Sequence, residues 1–415
     1  MPLAPNAASC PPPTRLRFRY PRVNDQSSKP GNSFGASLPV AIGSLTPKIG
    51  LGSSFPANLG VTVKLGPVER PVGALRYIPL ADFQARFHCT INTLPQNVCV
   101  VGWSQSERRW YVAPRNFSGM RATHASYLFH NRNNEKLLAL LVKAVVEPLR
   151  LPMLWFPYCF YDGWRERNIF ATEYRFVDPG DLTNALEWHG APGEIPMLCR
   201  DRHWLGCFGA HLGDPSAVLL PDLHYLVDGY RGMFDEVDAA RTPWRGKKDR
   251  GVFAAGNHGE PRNLRIPTSD PSMHPRRLFA ETVQSNNLDF DVFLGQRCSR
   301  SEQIAYRYIA DVDGFARTWD AWAWKMMSGC TVLAVESIWE SFFSTAFVPW
   351  QHYVPVANDC SDLGTKLAWC RANERECEAI ADRARSHAEV VYSAAEVARR
   401  LRENFERRLQ PSYAK

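Results

Sequence analysis

The alternation of apolar and polar residues predicts a strand, a helix and a second strand in the last third of the chain. An apolar run at 308–312 ends in Asp313-Gly314, which is typical of a strand stopped by a turn. Thr318 is then placed to cap a helix that Gly329 ends, and a β-branched run follows as the next strand. In such βαβ units, anionic ligands bind beyond the carboxyl ends of the strands, where a helix N-terminus offers free N–H groups.

The same periodicities predict further elements on both sides of this unit. The expected strands lie at 98–103, 110–113, 153–161 and 251–256, and the expected helices at 134–147, 234–240, 362–370, 374–390 and 394–409. The last helix carries Val397, Leu401 and Phe405 at fourfold spacing, so it needs an apolar surface on which to pack. We find no run of 18 apolar residues and therefore expect no transmembrane helix, so any contact with a membrane would be peripheral.

Composition separates the N-terminal segment from the rest of the chain. Residues 1–68 are rich in Pro, Ser, Gly and Asn and contain one acidic residue, Asp25. Such a segment buries too little apolar surface to order itself, so we expect a disordered tail. Ser-rich, Arg-containing and acid-poor composition is also typical of organellar targeting peptides, and this alternative stays open.

The length of the chain and the positions of its elements predict two domains after the tail. A chain of 415 residues exceeds the size at which a single core stops growing. We place the first α/β domain at 69–242, the second at 243–390, and at 391–415 a C-terminal helix that packs back on the first domain.

Charge and cysteine content limit the classes of partner and compartment. The net charge of +7 suits an anionic ligand or surface, but it is far from the concentrated basic face of a nucleic-acid-binding protein. The 11 cysteines are scattered without the spacing of a disulfide scaffold, which favours a reducing compartment. We therefore predict a cytoplasmic protein that binds no nucleic acid, with an organelle or the secretory pathway as the alternative if the tail is a targeting segment.

One cysteine–histidine spacing suggests a metal site at first sight. Cys199, His203, Cys207 and His211 are all zinc-ligand types and follow one another at intervals of four. On one helix they would form a stripe three turns long, which cannot surround a single ion, and the glycines between them argue against a helix. We predict no metal site here and interpret the segment as a loop-rich wall of a cleft.

Several motifs in the second half occur in one order and resemble glycosyltransferase family 90, which includes the Rumi-like and CAP10 proteins and bacterial lipopolysaccharide-modifying enzymes. The matching pieces are Asp313-Gly314 through Trp319, Trp324-Lys325 with Ser328-Gly329, the PWQHYVPV run at 349–356, and Ser361-Asp362-Leu363. The resemblance is strong from about residue 221 to 384, weaker from 137 to 220, and absent before 70.

The resemblance implies a GT-B-type fold, in which two Rossmann-like doubly wound α/β domains face each other across a cleft. It implies an inverting transfer of a sugar of the glucose or xylose type from a UDP-sugar to a hydroxyl of a glycan, a lipopolysaccharide or a protein. The first domain would then bind the acceptor and the second the nucleotide sugar. Folds of this type stabilise the departing diphosphate with a helix N-terminus and basic side chains, so neither a metal nor another cofactor is expected.

The resemblance also assigns a donor-binding set to the second domain. Its members are Gly256, Asn257, Arg262, Arg265, Asp313, Gly314, Phe315, Ala316, Arg317, Thr318, Lys325, Glu336 and Ser337. Many relatives have an arginine before the glycine of the first turn, whereas this chain has Ala255. We expect Arg262, Arg265 or Arg317 to supply the missing charge.

For the general base, the resemblance points to Asp162 at the end of a first-domain strand, with Asp201 and Asp222 as alternatives. The local match is loose, because Gly163-Trp164 stands where relatives usually have a proline. A non-catalytic relative that binds a sugar nucleotide or a glycan is therefore the second functional hypothesis.

Overall fold

A computed structural model describes residues 73–91, 98–114, 134–159, 166–167, 174–175, 186–188, 205–213, 217–317 and 319–409. The predicted tail at 1–68 lies outside these residues, as do the three predicted site residues Asp162, Asp201 and Thr318.

The described residues form 17 strands. In chain order they are β1 (Gly73–Tyr77), β2 (Cys89–Ile91), β3 (Val98–Ser104), β4 (Arg109–Pro114), β5 (Met153–Cys159), β6 (Glu166–Arg167), β7 (Tyr174–Arg175), β8 (Leu186–Trp188), β9 (Leu205–Cys207), β10 (Gly209–His211), β11 (Ala217–Leu219), β12 (Lys248–Ala255), β13 (Phe290–Leu294), β14 (Tyr306–Asp311), β15 (Thr331–Val335), β16 (Trp339–Ser341) and β17 (Val354–Val356).

The helices flank the two main sheets. They are α1 (Leu80–Phe87), α2 (134–141, continued by a π-helical turn at Val142–Val146), α3 (Tyr225–Asp228), α4 (Arg231–Ala240), α5 (Pro275–Ser285), α6 (Arg300–Ile304), α7 (Ala321–Met327), α8 (Leu363–Ala372), α9 (Glu374–Val391) and α10 (Ala394–Leu409).

The first half of the chain builds a six-stranded mixed sheet in the order β1-β4-β3-β5-β9-β11. Strand β3 is antiparallel to both of its neighbours, and the remaining pairs are parallel. The carboxyl ends of β5, β9 and β11 therefore meet at one edge. Asp162, the predicted base, follows β5 in the sequence and lies outside the described residues.

The second half builds a five-stranded sheet in the order β13-β12-β14-β15-β17, in which all strands are parallel. Strand β15, the fourth in this order, is buried along its whole length, as expected for a β-branched run covered by helices on both faces. The chain moves outward from β12 to β13 and then crosses back to β14, so β12 and β14 flank a topological switch point. Ligands of doubly wound sheets bind at this point, beyond the carboxyl ends of the strands. The predicted α/β class is confirmed.

The predicted start of the helix in the central βαβ unit is wrong. Helix α7 begins at Ala321 with Asp320 as its N-cap residue and has only seven residues. The backbone at 314–317 instead forms bends, and Trp319 adopts a left-handed conformation with φ of 70°. A tryptophan in this conformation interrupts a helix, so the N–H groups of Gly314, Phe315 and Ala316 do not belong to a helix N-terminus.

A pair of strands and the last helix are among the contacts that connect the halves of the described structure. Strand β10 of the first half pairs antiparallel with β16 of the second half. The last helix, α10, returns to the first sheet: its Phe405 ring packs on Phe156 with centroids 5.7 Å apart, and Asn404 Nδ2 donates to the Leu219 carbonyl at 3.2 Å. None of the described helices is both long enough and apolar enough to span a bilayer.

A stacked pair of histidines joins helix α9 to the loop before β17. The rings of His352 and His387 lie parallel, with centroids 4.4 Å apart, and His352 Nδ1 accepts a hydrogen bond from the Val348 N–H at 2.9 Å. Burial, followed by the nearby charges of His387 and Arg383, lowers the pKa of His352 to about 4.

We expect this pair to make the fold sensitive to acid. Between pH 6.5 and 4 the unfolded chain binds a proton at His352 that the folded chain excludes, so the free energy of unfolding should fall as the pH falls through this window. The full effect is on the order of 3 kcal/mol. Urea unfolding at several pH values should show that the free energy of unfolding of His352→Gln depends less on pH than that of wild type. The control is His88→Asn, because His88 is exposed and its φ of 49° is one that asparagine tolerates. If the free energy of unfolding of His352→Gln depends on pH as steeply as that of wild type, the histidine pair is not the source of the acid sensitivity.

Candidate functional site

The candidate site lies at the switch point, where the turns after β12 and β14 face each other. Arg276, in the first turn of α5, crosses between these two turns. Its Nη1 lies 3.3 Å from the carbonyl oxygens of Gly256 and His258, and its Nε lies 3.4 Å from the carbonyl oxygen of Val312. A guanidinium therefore occupies the position where this type of sheet takes its ligand.

The turn after β12 is shaped by a glycine. A Cβ at Gly256 would collide with the His258 imidazole, and that imidazole stacks on the Phe315 ring with centroids 5.5 Å apart. Asn263, which is buried, donates from Nδ2 to the Gly314 carbonyl at 3.0 Å and to the Phe315 carbonyl at 3.3 Å. The predicted donor residues of the two turns are thus brought together, with the backbone after β12 fixed on the backbone after β14.

A buried network of charged groups lies beneath the turn after β14. Asp311 accepts from Lys325 Nζ at 2.7 Å and lies 3.3 Å from Arg317 Nη2. Asp313 accepts from Arg317 Nε at 2.9 Å and from the Ser337 hydroxyl. Burial alone would raise the pKa of the Asp311 carboxyl, but Lys325, Arg317 and Arg276 outweigh it and hold the pKa below the usual value. Asp311 is therefore held in its ionised form, and each of the two carboxylates is paired with a cation.

This network uses two of the predicted phosphate ligands. Arg317 also donates from Nη2 to the Val335 carbonyl at 2.8 Å, and its guanidinium lies over the Trp322 ring at 4.9 Å. Arg317 and Lys325 are nearly buried in these contacts. The geometry shows them supporting the turn; whether they also contact a ligand stays a prediction.

A second group of predicted residues lies at the end of β15. Arg265 donates from Nη2 to the Ser337 carbonyl at 2.9 Å and approaches the Glu336 carboxylate at 3.6 Å. Asn358 fixes this edge, because its side chain accepts from the Arg265 N–H at 2.6 Å and donates to the Glu336 carbonyl at 2.8 Å. The Glu336 side chain is 54% exposed, so its carboxylate faces solvent beside the crevice.

For the remaining predicted donor residues, the structure gives the turn or bend in which each one lies. Asn257 is exposed in the turn after β12, Arg262 lies in the short 3₁₀ turn Pro261–Asn263, and Ala316 lies in the bends after β14. The part of Arg262 that the structure describes is its backbone.

Asp222, one of the two alternative bases, makes contacts that hold the local structure in place. It is buried and accepts from the backbone N–H groups of His224 and Tyr225, at 2.9 and 3.1 Å, and from the Tyr230 hydroxyl. Burial raises the pKa of this carboxyl, and the hydrogen bonds oppose the rise. Asp222 thus fixes the loop after β11.

Sequence reasoning missed a histidine–aspartate pair that bridges the two halves. His224 Nδ1 lies 3.9 Å from Asp320 Oδ2, and the His224 ring lies against the Trp319 ring with centroids 4.8 Å apart. The nearby carboxylate of Asp320 raises the pKa of His224. Asp320 also accepts from Arg300 Nη2 at 2.6 Å. No sequence pattern marks this pair, because its members are almost 100 residues apart.

Half of the cysteine–histidine segment can be described. Cys207 ends β9 and His211 ends β10, whereas Cys199 and His203 lie outside the described residues. Across the part of the chain that the structure covers, no three His, Cys, Asp or Glu side chains are grouped so as to hold a metal ion.

The fold and the site define an α/β protein whose parallel sheet carries a cationic crevice at its switch point. Residues 230–399, which contain this sheet, match the family model described as Glycosyl transferase family 90. The resemblance predicted from the motifs is thereby confirmed for this segment.

Individual relatives match over shorter or partial stretches. The chain is 32% identical over 121 residues to uncharacterized protein 179R of Invertebrate iridescent virus 6. This aligned stretch covers 27% of this chain and 10% of that protein. It is 34% identical over 200 residues to protein O-glucosyltransferase 3 of Mus musculus, which covers 46% of this chain and 37% of that protein. A solved structure of HepE from Anabaena in complex with UDP-glucose aligns with 9% identity and a TM-score of 0.27, over 43% of this chain and 52% of that one.

Proposed function

We propose that this chain transfers a glucose- or xylose-type sugar from a UDP-sugar to an acceptor hydroxyl, with inversion at the anomeric carbon. The observation that carries the proposal is the match of residues 230–399 to the glycosyltransferase family model, because this segment forms the whole switch-point sheet and its cationic crevice. The name of the mouse relative, an O-glucosyltransferase, favours glucose as the first sugar to test.

The proposed reaction needs a base on one side of the sugar and a cationic surface on the other. A base removes the proton from the acceptor hydroxyl, the hydroxyl oxygen bonds to the anomeric carbon, and the bond from that carbon to the diphosphate breaks. The electron pair leaves with the UDP, whose developing negative charge needs fixed donors. We propose Asp162 as the base, and the crevice between the turns after β12 and β14 as the diphosphate site.

The acceptor class is the least constrained part of the proposal. Hydroxyl groups of a glycan, a lipopolysaccharide or a protein would all meet the chemical requirement. The edge of the mixed sheet that carries the ends of β5, β9 and β11 is the proposed acceptor surface, since it is where Asp162 follows β5 along the chain.

The test is a donor and acceptor screen on the full chain. The protein is incubated with UDP-glucose, UDP-xylose and other sugar nucleotides, with and without acceptors of the three classes, and release of UDP is measured. The anomeric configuration of the product is then read by NMR. We expect UDP release with one donor and inversion in the product; retention of configuration would contradict the single-displacement mechanism.

The second hypothesis is a non-catalytic protein that binds a sugar nucleotide. Ala255, at the place of an arginine in many relatives, motivates it. Tight binding of a UDP-sugar without UDP release, either to an acceptor or to water, would support this alternative.

We expect transfer to continue when divalent cations are removed. The charge of the departing diphosphate would be balanced by basic side chains of the crevice. Turnover in excess EDTA should therefore stay within about twofold of the untreated enzyme, a small change compared with the ≥10²-fold scale of lost catalytic groups. Loss of turnover in EDTA that is restored by Mn²⁺ or Mg²⁺ would contradict the metal-free mechanism, and restoration by zinc alone would point to the cysteine–histidine segment.

A further inference from the structure

The five charged side chains of the cluster around Arg276 do not balance in charge. The carboxylates whose fields reach Arg276 are those of Asp311 and Asp313. Asp311 is already paired with Lys325, and Asp313 with Arg317. Three cations thus surround two carboxylates, which leaves this partly buried cluster with an excess charge of about +1.

Arg276 is the member of the cluster without a carboxylate of its own. Within the residues that the structure describes, its hydrogen bonds go to three backbone carbonyl groups, and all three are long, at 3.3–3.4 Å. Its neighbour Arg277, by contrast, forms ion pairs: its Nη1 lies 2.8 Å from the Asp270 carboxylate and its Nε lies 2.8 Å from the Glu281 carboxylate. Burial lowers the pKa of Arg276 despite the two nearby aspartates, as expected for a cation that has given up water without gaining a close anion.

The position of the guanidinium is set by a glycine. A Cβ on Gly314 would lie 2.7 Å from Arg276 Nη2, so the absence of a side chain at Gly314 lets the guanidinium lie directly against the backbone after β14. On its other side the same group contacts the carbonyl of Gly256. Arg276 therefore lies between both turns of the switch point, where a diphosphate would have to enter.

We propose that Arg276 binds the diphosphate of the nucleotide sugar and replaces the arginine that is absent at Ala255. This inference rests on the proposed function and identifies a specific side chain for its donor site. The planar fork of a guanidinium suits two oxygens of a phosphate group, and a bound diphosphate would neutralise the excess charge of the cluster. Arg276 comes from helix α5 rather than from the end of β12, so the chain supplies the same charge from a neighbouring element.

A structural role is the competing explanation. Arg276 contacts carbonyl groups of both turns, so its removal would also loosen the crevice. The two roles differ in which ligand they affect, because a loosened crevice binds the whole nucleotide less well, whereas a lost phosphate contact affects phosphorylated ligands alone.

The test compares Arg276→Gln with Arg277→Gln, the adjacent arginine that is paired on the surface. Binding of uridine, UMP and UDP is measured by calorimetry, with inorganic pyrophosphate as a competitor. We expect Arg276→Gln to weaken UDP binding by about 10- to 150-fold and to leave uridine within twofold. Pyrophosphate should compete with UDP in wild type and lose this ability in the variant, and Arg277→Gln should resemble wild type throughout.

Arg276→Lys keeps the positive charge without the fork, so it should lose less UDP affinity than Arg276→Gln and serves if the glutamine variant does not fold. Equal losses for uridine and UDP, or no loss for either, would overturn the assignment of Arg276 while the proposed function stands. A wild-type chain that binds no UDP and releases none from any donor would end the proposed function and this inference together.

Discussion

Replacing Asp162 with asparagine is expected to reduce sugar transfer by about 10²–10⁴-fold. The asparagine keeps the shape of the side chain but cannot accept the proton of the acceptor hydroxyl. A base acts in the transition state and hardly contributes to holding the donor, so the affinity for UDP should stay close to that of wild type. Initial rates over a range of pH and calorimetry with UDP would separate the two effects.

The contrast with Arg276 makes this experiment specific. Arg276→Gln should weaken UDP binding, whereas Asp162→Asn should affect turnover alone. Turnover that survives in Asp162→Asn but is lost in Asp201→Asn or Asp222→Asn would show that the first half was matched to the family at the wrong aspartate. A loss of turnover in Asp222→Asn must be compared with the thermal stability of that variant, because Asp222 fixes the loop after β11.

Lys325→Met is expected to be among the most destabilising single substitutions in the chain, with a loss of about 3–5 kcal/mol. Methionine fills the volume of the lysine stem but leaves Asp311, which is buried, with one of its two cations. Urea unfolding should show a lower midpoint, without the change in slope that would indicate a different unfolded state.

Two further variants separate pairing from packing. Lys366→Met removes a lysine whose partner Asp362 is 3.4 Å away on a solvated face, and it should cost at most about 1 kcal/mol. Adding Asp311→Asn to Lys325→Met removes the buried carboxylate that has lost its closer cation, so the double variant should be more stable than Lys325→Met alone. If the double variant loses the sum of both single effects, the two side chains do not act as a pair.

The elements that the sequence predicted well are those with a strong local pattern. The last helix has the predicted bounds, and the strand at 331–335 matches as well, because amphipathic spacing and a β-branched run are legible without knowledge of the fold. The start of α7 was misplaced by two residues, since nothing in the composition around Trp319 signals its left-handed backbone. That conformation depends on packing against the other half of the chain.

The sequence predicted the candidate site in part. The motifs place it at the turns after β12 and β14, which the structure brings together, yet they could not tell which basic residues pair with aspartates. Arg317 and Lys325 stay predicted phosphate ligands, and their pairing with Asp313 and Asp311 could be seen only in the folded structure. Arg276 was not predicted as a site residue because it lies in a helix without a motif. Its proposed role follows from the charge balance of residues about 40 positions away, which the sequence alone does not show.

The return of the last helix to the first sheet has a consequence for how the chain is made. Phe156 receives its aromatic neighbour Phe405 from a segment that leaves the ribosome about 250 residues later. At 5–20 residues per second, the apolar face that α10 finally covers waits roughly 12–50 s in the nascent protein. During synthesis the first sheet is thus an unfinished surface on which chaperones could act until α10 has been made.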